Sequence, residues 1–343
     1  MTRSRIPALL AAAVVLAACG TGTGAPQAAA PEAAAPVAAA APAALPPPEE
    51  CEPNDILATA SLSPGSRTAA QLARTPAVQE IKRRGRLIVG TSGDVLLWGA
   101  RDPKSGQLQG FDILLAQDIA RAIFGTPADR PPPVEFRVIN YAQRLPAVSD
   151  EVREGQQPVS SQVDLVLHTM TINCTRWEQI AFSIEYYRAG QRILVRADNP
   201  KLDPRTGDMQ ITDLDEGTEI CVPAGSTNVE LLESKYRQFK PVPVPEIGEC
   251  LVKFQRGEIG VITGDDTVLA GFAAQDPYAK VVGAFLSTEP YGIGVDRTKP
   301  DLVRFVNAVL EDVRGARWAQ IYTATMGKEI PKVPGMPPAE YGR

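Results

Sequence analysis

Hydrophobic residues recur along the chain with two periods, one typical of strands and the other typical of helices. Residues 86–91 (RLIVGT) form a short apolar run that predicts a buried strand. Between Asp112 and Gly125 apolar residues lie three or four positions apart, which predicts a helix with Asp112 as its N-cap and Gly125 as its stop. Residues 134–138 alternate, and residues 163–167 (VDLVL) are mainly apolar, so both predict strands. This order of strands and helices indicates an α/β fold.

A second set of strands and helices begins near residue 219. Residues 219–223 (EICVP) predict a strand, and Gly225, Ser226 and Thr227 then open a predicted helix that offers backbone amides at its start. The remaining predictions are a helix at residues 250–257, a strand at 259–262 and the loop after it at 264–267. Two closing helices are predicted at residues 302–313 and 318–326. Together the two sets are long enough for two lobes of ordinary domain size.

The first residues predict export from the cytoplasm. Arg3 and Arg5 precede an apolar run at residues 6–18, and small residues lie before Cys19. This is the pattern of a secretory signal, and its end resembles a bacterial lipobox. Residues 1–18 are therefore predicted to be a signal peptide, with Cys19 as the lipidated first residue of the mature protein. The alternative is an ordinary signal peptide with an incidental cysteine.

A spacer separates this segment from the rest of the chain. Residues 19–50 are rich in alanine and proline, so they cannot form a core and predict a semi-rigid tether. Residues 51–77 form an N-terminal extension before the first lobe. No later apolar run approaches the ~20 residues that a membrane span needs. The net charge of −5, with both signs mixed along the chain, predicts no nucleic-acid surface.

Four further cysteines lie beyond the tether: Cys51, Cys174, Cys221 and Cys250. An even number of cysteines in an oxidising compartment predicts two disulfides, and three connectivities are open. A metal site is the weaker alternative, because the chain has no CxxC spacing and only one histidine. We therefore expect no metal and no cofactor.

Five segments of the chain occur in an order that indicates a family. They are RLIVGTS with GFDILLAQDIA, VDLVLHTMTINCTRWEQIAFSIEYYRAGQRILV, VPAGSTNVELL, ECLVKFQRGEIGVITGDDTVLAG and EPYGIGV. The series resembles the extracytoplasmic solute-binding proteins of family 3, the substrate-binding lipoproteins of amino-acid ABC transporters, and within them the glutamate/glutamine-binding type of actinobacteria. The resemblance covers residues 78–328.

The resemblance implies the type II periplasmic-binding-protein fold, in which two α/β lobes are joined by two crossover strands. The implied ranges are 78–189 and 289–343 for lobe 1, 190–288 for lobe 2, and 189–195 and 287–291 for the crossovers. This division places Cys221 and Cys250 together in lobe 2 and leaves Cys51 with Cys174. A disulfide between Cys174 and Cys221 would instead fasten the lobes together and hinder hinge motion.

The resemblance also implies an amino-acid site between the lobes. A buried zwitterion needs a partner for each of its charges, because both groups lose their water. Arg176 matches the arginine that holds the α-carboxylate in the motif TxxxxR, which begins at Thr171. Ser226 and Thr227 lie at a helix start, where the amide of Thr227 adds to this grip, and Asp266 matches the aspartate that receives the α-ammonium. By residue type alone, a surface arginine, a plain N-cap and a turn aspartate are the commoner interpretations.

Arg144 and Tyr141 are the expected contacts of the ligand's side chain. Arg144 precedes Leu-Pro, as an arginine does in relatives that bind glutamate and aspartate, and would pair with a side-chain carboxylate. Tyr141 matches an aromatic residue that covers the ligand, although a half-buried tyrosine at a strand end is nearly as common. Two arginines in one cleft would leave a cation unpaired beside an amide, so glutamate or aspartate is favoured over glutamine or asparagine.

Three further residues are weaker candidates. Trp98 could form the opposite wall of the site and Arg101 could reach it, but a core tryptophan and a solvated loop arginine are the stronger interpretations. Thr169 stands where many relatives have glycine, so a side chain replaces a close approach of the backbone. The acidic residue common in the first loop is replaced around residues 92–94.

The implied protein is a monomeric receptor, anchored by lipid outside the cytoplasm. It would close its lobes over an amino acid and present it to the membrane permease of an ABC importer. Two other functions stay open. The same module could serve as a sensor subunit that signals through a membrane protein. A dehydratase-like enzyme is the remote alternative, because His168 is the only histidine and no nucleophile or acid accompanies it at a matching spacing.

Overall fold

The structure, a computed structural model, describes residues 60–149 and 162–342. The proposed signal peptide, Cys19, the tether and Cys51 lie outside the described residues. The export, lipidation and tether predictions therefore remain predictions. Within the part of the chain that is described, no helix is long and apolar enough to cross a membrane.

Lobe 1 is built on a five-stranded sheet. Its strands, in spatial order, are β5 (Val134–Val138), β1 (Leu87–Thr91), β6 (Leu165–Val166), β13 (Gly294–Val295) and β7 (Ala181–Phe182). β1 is parallel to both of its neighbours, whereas β13 is antiparallel to β6 and β7. The helices of this lobe are α1 (Ala69–Leu72), α2 (Pro76–Arg84), α3 (Phe111–Phe124), α4 (Cys174–Trp177), α8 (Pro300–Val313) and α9 (Ala316–Thr325). The strands predicted at residues 86–91 and 134–138 are confirmed, and the one at 163–167 is shorter than predicted.

A small antiparallel sheet lies between β1 and α3, with strands β2 (Asp94–Val95), β3 (Gly99–Arg101) and β4 (Leu108–Gln109). The N-cap of α3 is Gly110, so the predicted N-cap Asp112 is wrong. Gly110 has φ of 135°, and a Cβ there would lie 2.2 Å from the carbonyl oxygen of Trp98, so only glycine fits. Asp112 is instead buried in the first turn, where it accepts hydrogen bonds from the Tyr186 hydroxyl and the Thr169 amide at 2.8 and 3.1 Å.

Lobe 2 is built on a second five-stranded sheet. Its strands, in spatial order, are β10 (Lys240–Val244), β9 (Glu219–Pro223), β11 (Val261–Asp265), β8 (Tyr187–Arg196) and β12 (Ala279–Tyr291), and its helices are α5 (Thr227–Lys235), α6 (Gly248–Gln255) and α7 (Asp266–Ala273). The loop predicted at residues 264–267 is wrong. Gly264 and Asp265 pair with β8 and complete β11, and α7 begins at the next residue.

Two long strands connect the lobes. β8 and β12 are antiparallel, and their pairing extends from Ala279 with Arg196 to Tyr291 with Tyr187. The register is irregular between Val282 and Ser287. The expected architecture, two α/β lobes joined by two crossover strands, is therefore confirmed.

One disulfide, between Cys221 and Cys250, joins β9 to α6 inside lobe 2, as the resemblance implied. Cys174 is also disulfide-bonded, and its expected partner Cys51 lies outside the described residues. Because Cys221 is bonded to Cys250, the alternative bond between Cys174 and Cys221 is excluded. The lobes are not fastened to each other by that bond.

Candidate functional site

The loops that follow the strands of the two sheets face each other across a cleft. In α/β proteins ligands bind at this end of the strands. Several hydrogen bonds cross between the lobes. Among them are Arg144 Nη2 to Gly225 O at 3.2 Å, Trp98 Nε1 to Thr267 Oγ1 at 3.0 Å, and Gly248 N to Asp94 Oδ2 at 2.8 Å. The lobes are thus closed against each other.

Arg144 lies buried in the wall of the cleft, on the turn after β5. Its guanidinium donates to the backbone carbonyl oxygens of Tyr141, His168, Thr169 and Gly225 at 3.1 to 3.2 Å. The same group lies 4.5 Å from the centre of the Tyr141 ring, within the range of a cation–π contact. Most of the N–H donors of Arg144 are therefore already used by the protein itself.

Arg176 is held on α4, with 4% of its surface exposed. Asn173 Oδ1 accepts from the Arg176 amide at 2.9 Å, and Arg176 Nη1 donates to Thr171 O at 2.8 Å. Among the described residues no carboxylate forms an ion pair with either Arg144 or Arg176. Burial, followed by the charge of Arg176, lowers the pKa of Arg144 to about 9. Both side chains line a cavity of about 150 Å³, so the site holds two buried cations with donors to spare.

The opposite charge comes from Asp265 at the end of β11. Its buried carboxylate accepts hydrogen bonds from Asn228 Nδ2 at 2.9 Å and from the Tyr291 hydroxyl at 2.5 Å. Burial, followed by the charge of Glu289, raises the pKa of Asp265 to about 7. Asp265 is also close enough to Arg144 to favour its charged form.

Asp266, the aspartate expected from the sequence, is oriented differently. Its Oδ1 accepts a hydrogen bond from the Gly190 amide of β8 at 3.3 Å, and burial raises its pKa. Its side chain therefore serves the junction of α7 with the crossover strand. Of the two neighbouring aspartates, Asp265 is the one that interacts electrostatically with Arg144 and Tyr141.

Glu289 is a site residue that the sequence analysis missed. It lies on the crossover strand β12 with 2% of its surface exposed. Its Oε2 accepts from the hydroxyl groups of Thr171 and Thr227 at 2.6 and 2.7 Å, and its Oε1 accepts from Ser287 Oγ at 2.5 Å. The motif EPYGIGV contains this residue, and a carboxylate just before the Pro-Tyr-Gly of a crossover strand was the available signal.

Among the remaining candidates, Tyr141 and Ser226 lie at the cleft, whereas Trp98 and Arg101 have other surroundings. Ser226 is the N-cap of α5, and its hydroxyl accepts from Val229 N at 3.3 Å. Trp98 is fully buried among aromatic rings. Arg101 is exposed and donates to Gly106 O at 2.7 Å.

Thr169 has an unusual backbone. Its φ is 43°, a value that β-branched residues rarely adopt, and its buried hydroxyl has no hydrogen-bond partner. The backbone at Thr169 is therefore strained.

His168 is fully buried. Its Nε2 lies 3.0 Å from Ile139 O, and burial, followed by the charge of Arg144, lowers its pKa to about 3. Among the described residues, no group of three histidine, cysteine or acidic side chains could hold a metal ion.

Comparison with known proteins identifies the family. Residues 87–328 match the sequence model of the bacterial extracellular solute-binding proteins, family 3. The chain belongs to this family. Its fold is accordingly the type II periplasmic-binding-protein fold, and the family was the one expected from the sequence motifs.

Named relatives of this solute-binding protein bind amino acids. It is 29% identical to the glutamine-binding protein of Geobacillus stearothermophilus over 69% of this chain and 82% of that protein. It is 27% identical to the glutamate-binding protein GluB of Corynebacterium efficiens over 66% of this chain and 74% of that protein. These relatives are binding proteins by name, and a further relative, from Bacillus subtilis, is named an ABC transporter glutamine-binding protein.

Solved structures give the same fold. A mutant of ArgBP from T. maritima has a TM-score of 0.62 and 27% identity, covering 74% of this solute-binding protein and 100% of that chain. The ancestral amino acid-binding protein AncCDT-1, a precursor of cyclohexadienyl dehydratase, has a TM-score of 0.61 and 26% identity, covering 73% of this chain and 99% of that chain.

Proposed function

We propose that the protein binds one free amino acid between its lobes and presents it to the permease of an ABC importer, while Cys19 anchors it by lipid to the outer face of the cell membrane. The observation that carries the proposal is the charge separation in the cleft. Arg176 offers unused donors on one side, and Asp265 offers a buried carboxylate on the other. A zwitterion has the matching pair of charges.

Each charge of the ligand has a distinct partner in this proposal. Arg176 and the Thr227 amide at the start of α5 hold the α-carboxylate. Asp265, rather than Asp266, receives the α-ammonium, because Asp265 is the aspartate in electrostatic contact with Arg144 and Tyr141. The hydroxyl of Thr171 donates its one proton to Glu289, so it can only accept a hydrogen bond from the ammonium.

The ligand's side chain belongs to the glutamate and glutamine class. An acidic ligand was expected because Arg144 and Arg176 would otherwise be cations without a compensating charge. Asp265 and Glu289, however, bring two acidic side chains into the same cleft. Arg144 also donates to four backbone carbonyl oxygens, so few of its N–H donors are left for a ligand. These donors can bind the single oxygen of an amide side chain as well as they bind a carboxylate. We therefore propose that glutamine binds more tightly than glutamate.

Isothermal titration calorimetry of the full chain against glutamine, glutamate, asparagine and aspartate tests this proposal. We expect roughly micromolar binding of glutamine, about −8 kcal/mol, and loss of measurable binding in Arg176→Ala. Arg101→Ala is the matched control, because this exposed arginine bonds only within its own loop. Wild-type affinity in a folded Arg176→Ala protein would refute the site.

A further inference from the structure

One interlobe contact joins an aspartate of lobe 1 to a helix of lobe 2. Asp94 Oδ2 accepts a hydrogen bond at 2.8 Å from the amide of Gly248, the first residue of α6. Ile247, at the N-cap position of α6, has no side chain that could accept this bond. The role that Ser, Thr, Asp or Asn usually fills within a helix is thus filled here by a residue from the other lobe.

Both sides of this contact are shaped for it. Ser92 Oγ donates to Asp94 Oδ1 at 3.0 Å and so orients the carboxylate. A Cβ on Gly248 would lie 2.7 Å from Asp94 Oδ2, so a larger residue would block the approach. The disulfide at Cys250 holds α6 against the sheet of lobe 2. The amide that Asp94 meets is therefore fixed to the body of lobe 2.

Two more carboxylates, from Glu246 and Glu249, lie on the lobe 2 side of the contact. Glu246 Oε2 is buried and has no hydrogen-bond partner. Burial, followed by the charges of Asp94 and Glu249, raises the pKa of Glu246 to about 7. Closing the lobes thus brings Asp94 against like charges as well as against a helix N-terminus.

Nearby cations do not neutralise this cluster. Arg101, Lys253 and Arg256 line the adjoining groove of about 890 Å³. Lys253 and Arg256 pair with Glu258 at 3.4 and 3.8 Å, and Arg101 donates to a backbone carbonyl. In the described ranges, no ion pair involves Asp94, Glu246 or Glu249.

We propose that Asp94 is a latch that stabilises the closed lobes by capping α6 across the cleft, and that negative charge on Glu246 weakens this latch. The inference rests on the proposed receptor function, since closure then sets ligand affinity. In the closed protein burial raises the pKa of Glu246 to about 7, above the ordinary value of 4.5. Opening that exposes Glu246 to water would return its pKa toward that ordinary value. The latch is therefore strongest in acid and weakens as the pH rises through this window.

Calorimetry of the full chain with glutamine and with glutamate, at about pH 5.5 and about pH 8, tests the latch. Asp94→Ala should weaken both ligands about fivefold, the order expected for a lost cap, with their affinity ratio unchanged. Asp94→Asn keeps an acceptor and should restore most of the affinity. Asp102→Ala is the control, because Asp102 is bonded only within its own turn. Glu246→Gln should gain affinity over the wild type at about pH 8 but not at about pH 5.5.

Glu246→Gln must be compared with the wild type at each pH, because Asp265 also has a pKa of about 7. Its ionisation strengthens binding as the pH rises, which is the opposite of the effect of Glu246. Unchanged affinity in Asp94→Ala overturns the latch. A changed ratio of the affinities for glutamine and glutamate also overturns it, because Asp94 would then be a ligand contact. An equal pH slope in Glu246→Gln and wild type overturns the role of Glu246. If the wild type binds neither ligand, the proposed function fails, and small-angle scattering of the ligand-free proteins in acid tests the latch separately. A larger radius of gyration in Asp94→Ala than in the wild type supports the latch, and equal radii overturn it.

Discussion

The hydroxyl groups of Thr171 and Thr227 lie 3.4 Å apart, although one residue belongs to lobe 1 and the other to lobe 2. Both donate to the same oxygen of Glu289. A hydroxyl has a single proton, so each threonine can offer a ligand only its lone pairs. This part of the cleft thus accepts hydrogen bonds, while the arginine side donates them. In the proposed function, a zwitterion would therefore bind in one orientation.

Glu289→Gln should shift the preference between acidic and amide ligands. The change removes a negative charge from the cleft while keeping an oxygen that the two threonines can reach. In calorimetric titrations the affinity for glutamate should therefore rise relative to that for glutamine by about tenfold, or about 1.4 kcal/mol. Glu311→Gln is the control, because Glu311 lies on α8 and pairs with Arg314, the C-cap residue of that helix. An unchanged ratio would remove Glu289 from the determinants of specificity.

Asp265→Asn and Asp266→Asn should have unequal effects on amino-acid affinity. Asp265→Asn removes the proposed partner of the ammonium and should cost about 1.5 to 3 kcal/mol, the value of a hydrogen bond to a charged group. Asp266 bonds to the Gly190 amide, so its replacement should change affinity by less than about threefold. Calorimetry on both variants, with circular dichroism as a check of folding, measures this. A larger loss in Asp266→Asn would reverse the assignment.

These two aspartates show where sequence reasoning reached its limit. Motif order was sufficient for the family and the two lobes, because strands, helices and a spaced motif are local features. Asp265 and Asp266 are adjacent, and the choice between them depends on where β11 ends, which tertiary pairing with β8 decides. Glu289 meets Thr171 across 118 positions of the chain, a contact that no local pattern encodes.

Thr169→Gly should stabilise the protein. Glycine adopts the φ of 43° without strain, and the change removes a buried hydroxyl that has no partner. We expect the free energy of unfolding in urea to rise by about 1 kcal/mol, the lower end of the cost of such backbone strain. Thr91→Gly is the matched control, since its hydroxyl is also buried without a partner but its φ is not positive, and it should destabilise the fold. Equal losses in both variants would show that Thr169 is unstrained.

The loss of binding in acid should become steeper once Glu246 is removed, because the titrations of Glu246 and Asp265 oppose each other in the wild type. Burial and Glu289 raise the pKa of Asp265 to about 7, and only the ionised carboxylate can pair with an ammonium. As the pH falls below 7, a growing fraction of Asp265 is protonated, so affinity should fall, by at most about tenfold per pH unit. In Glu246→Gln, where the opposing titration of Glu246 is absent, glutamine affinity should therefore decrease about 25-fold from pH 7.5 to pH 5.5. Calorimetry on the Glu246→Gln/Asp265→Asn double variant should give a flat profile, and a slope that persists there would assign the titration to another group.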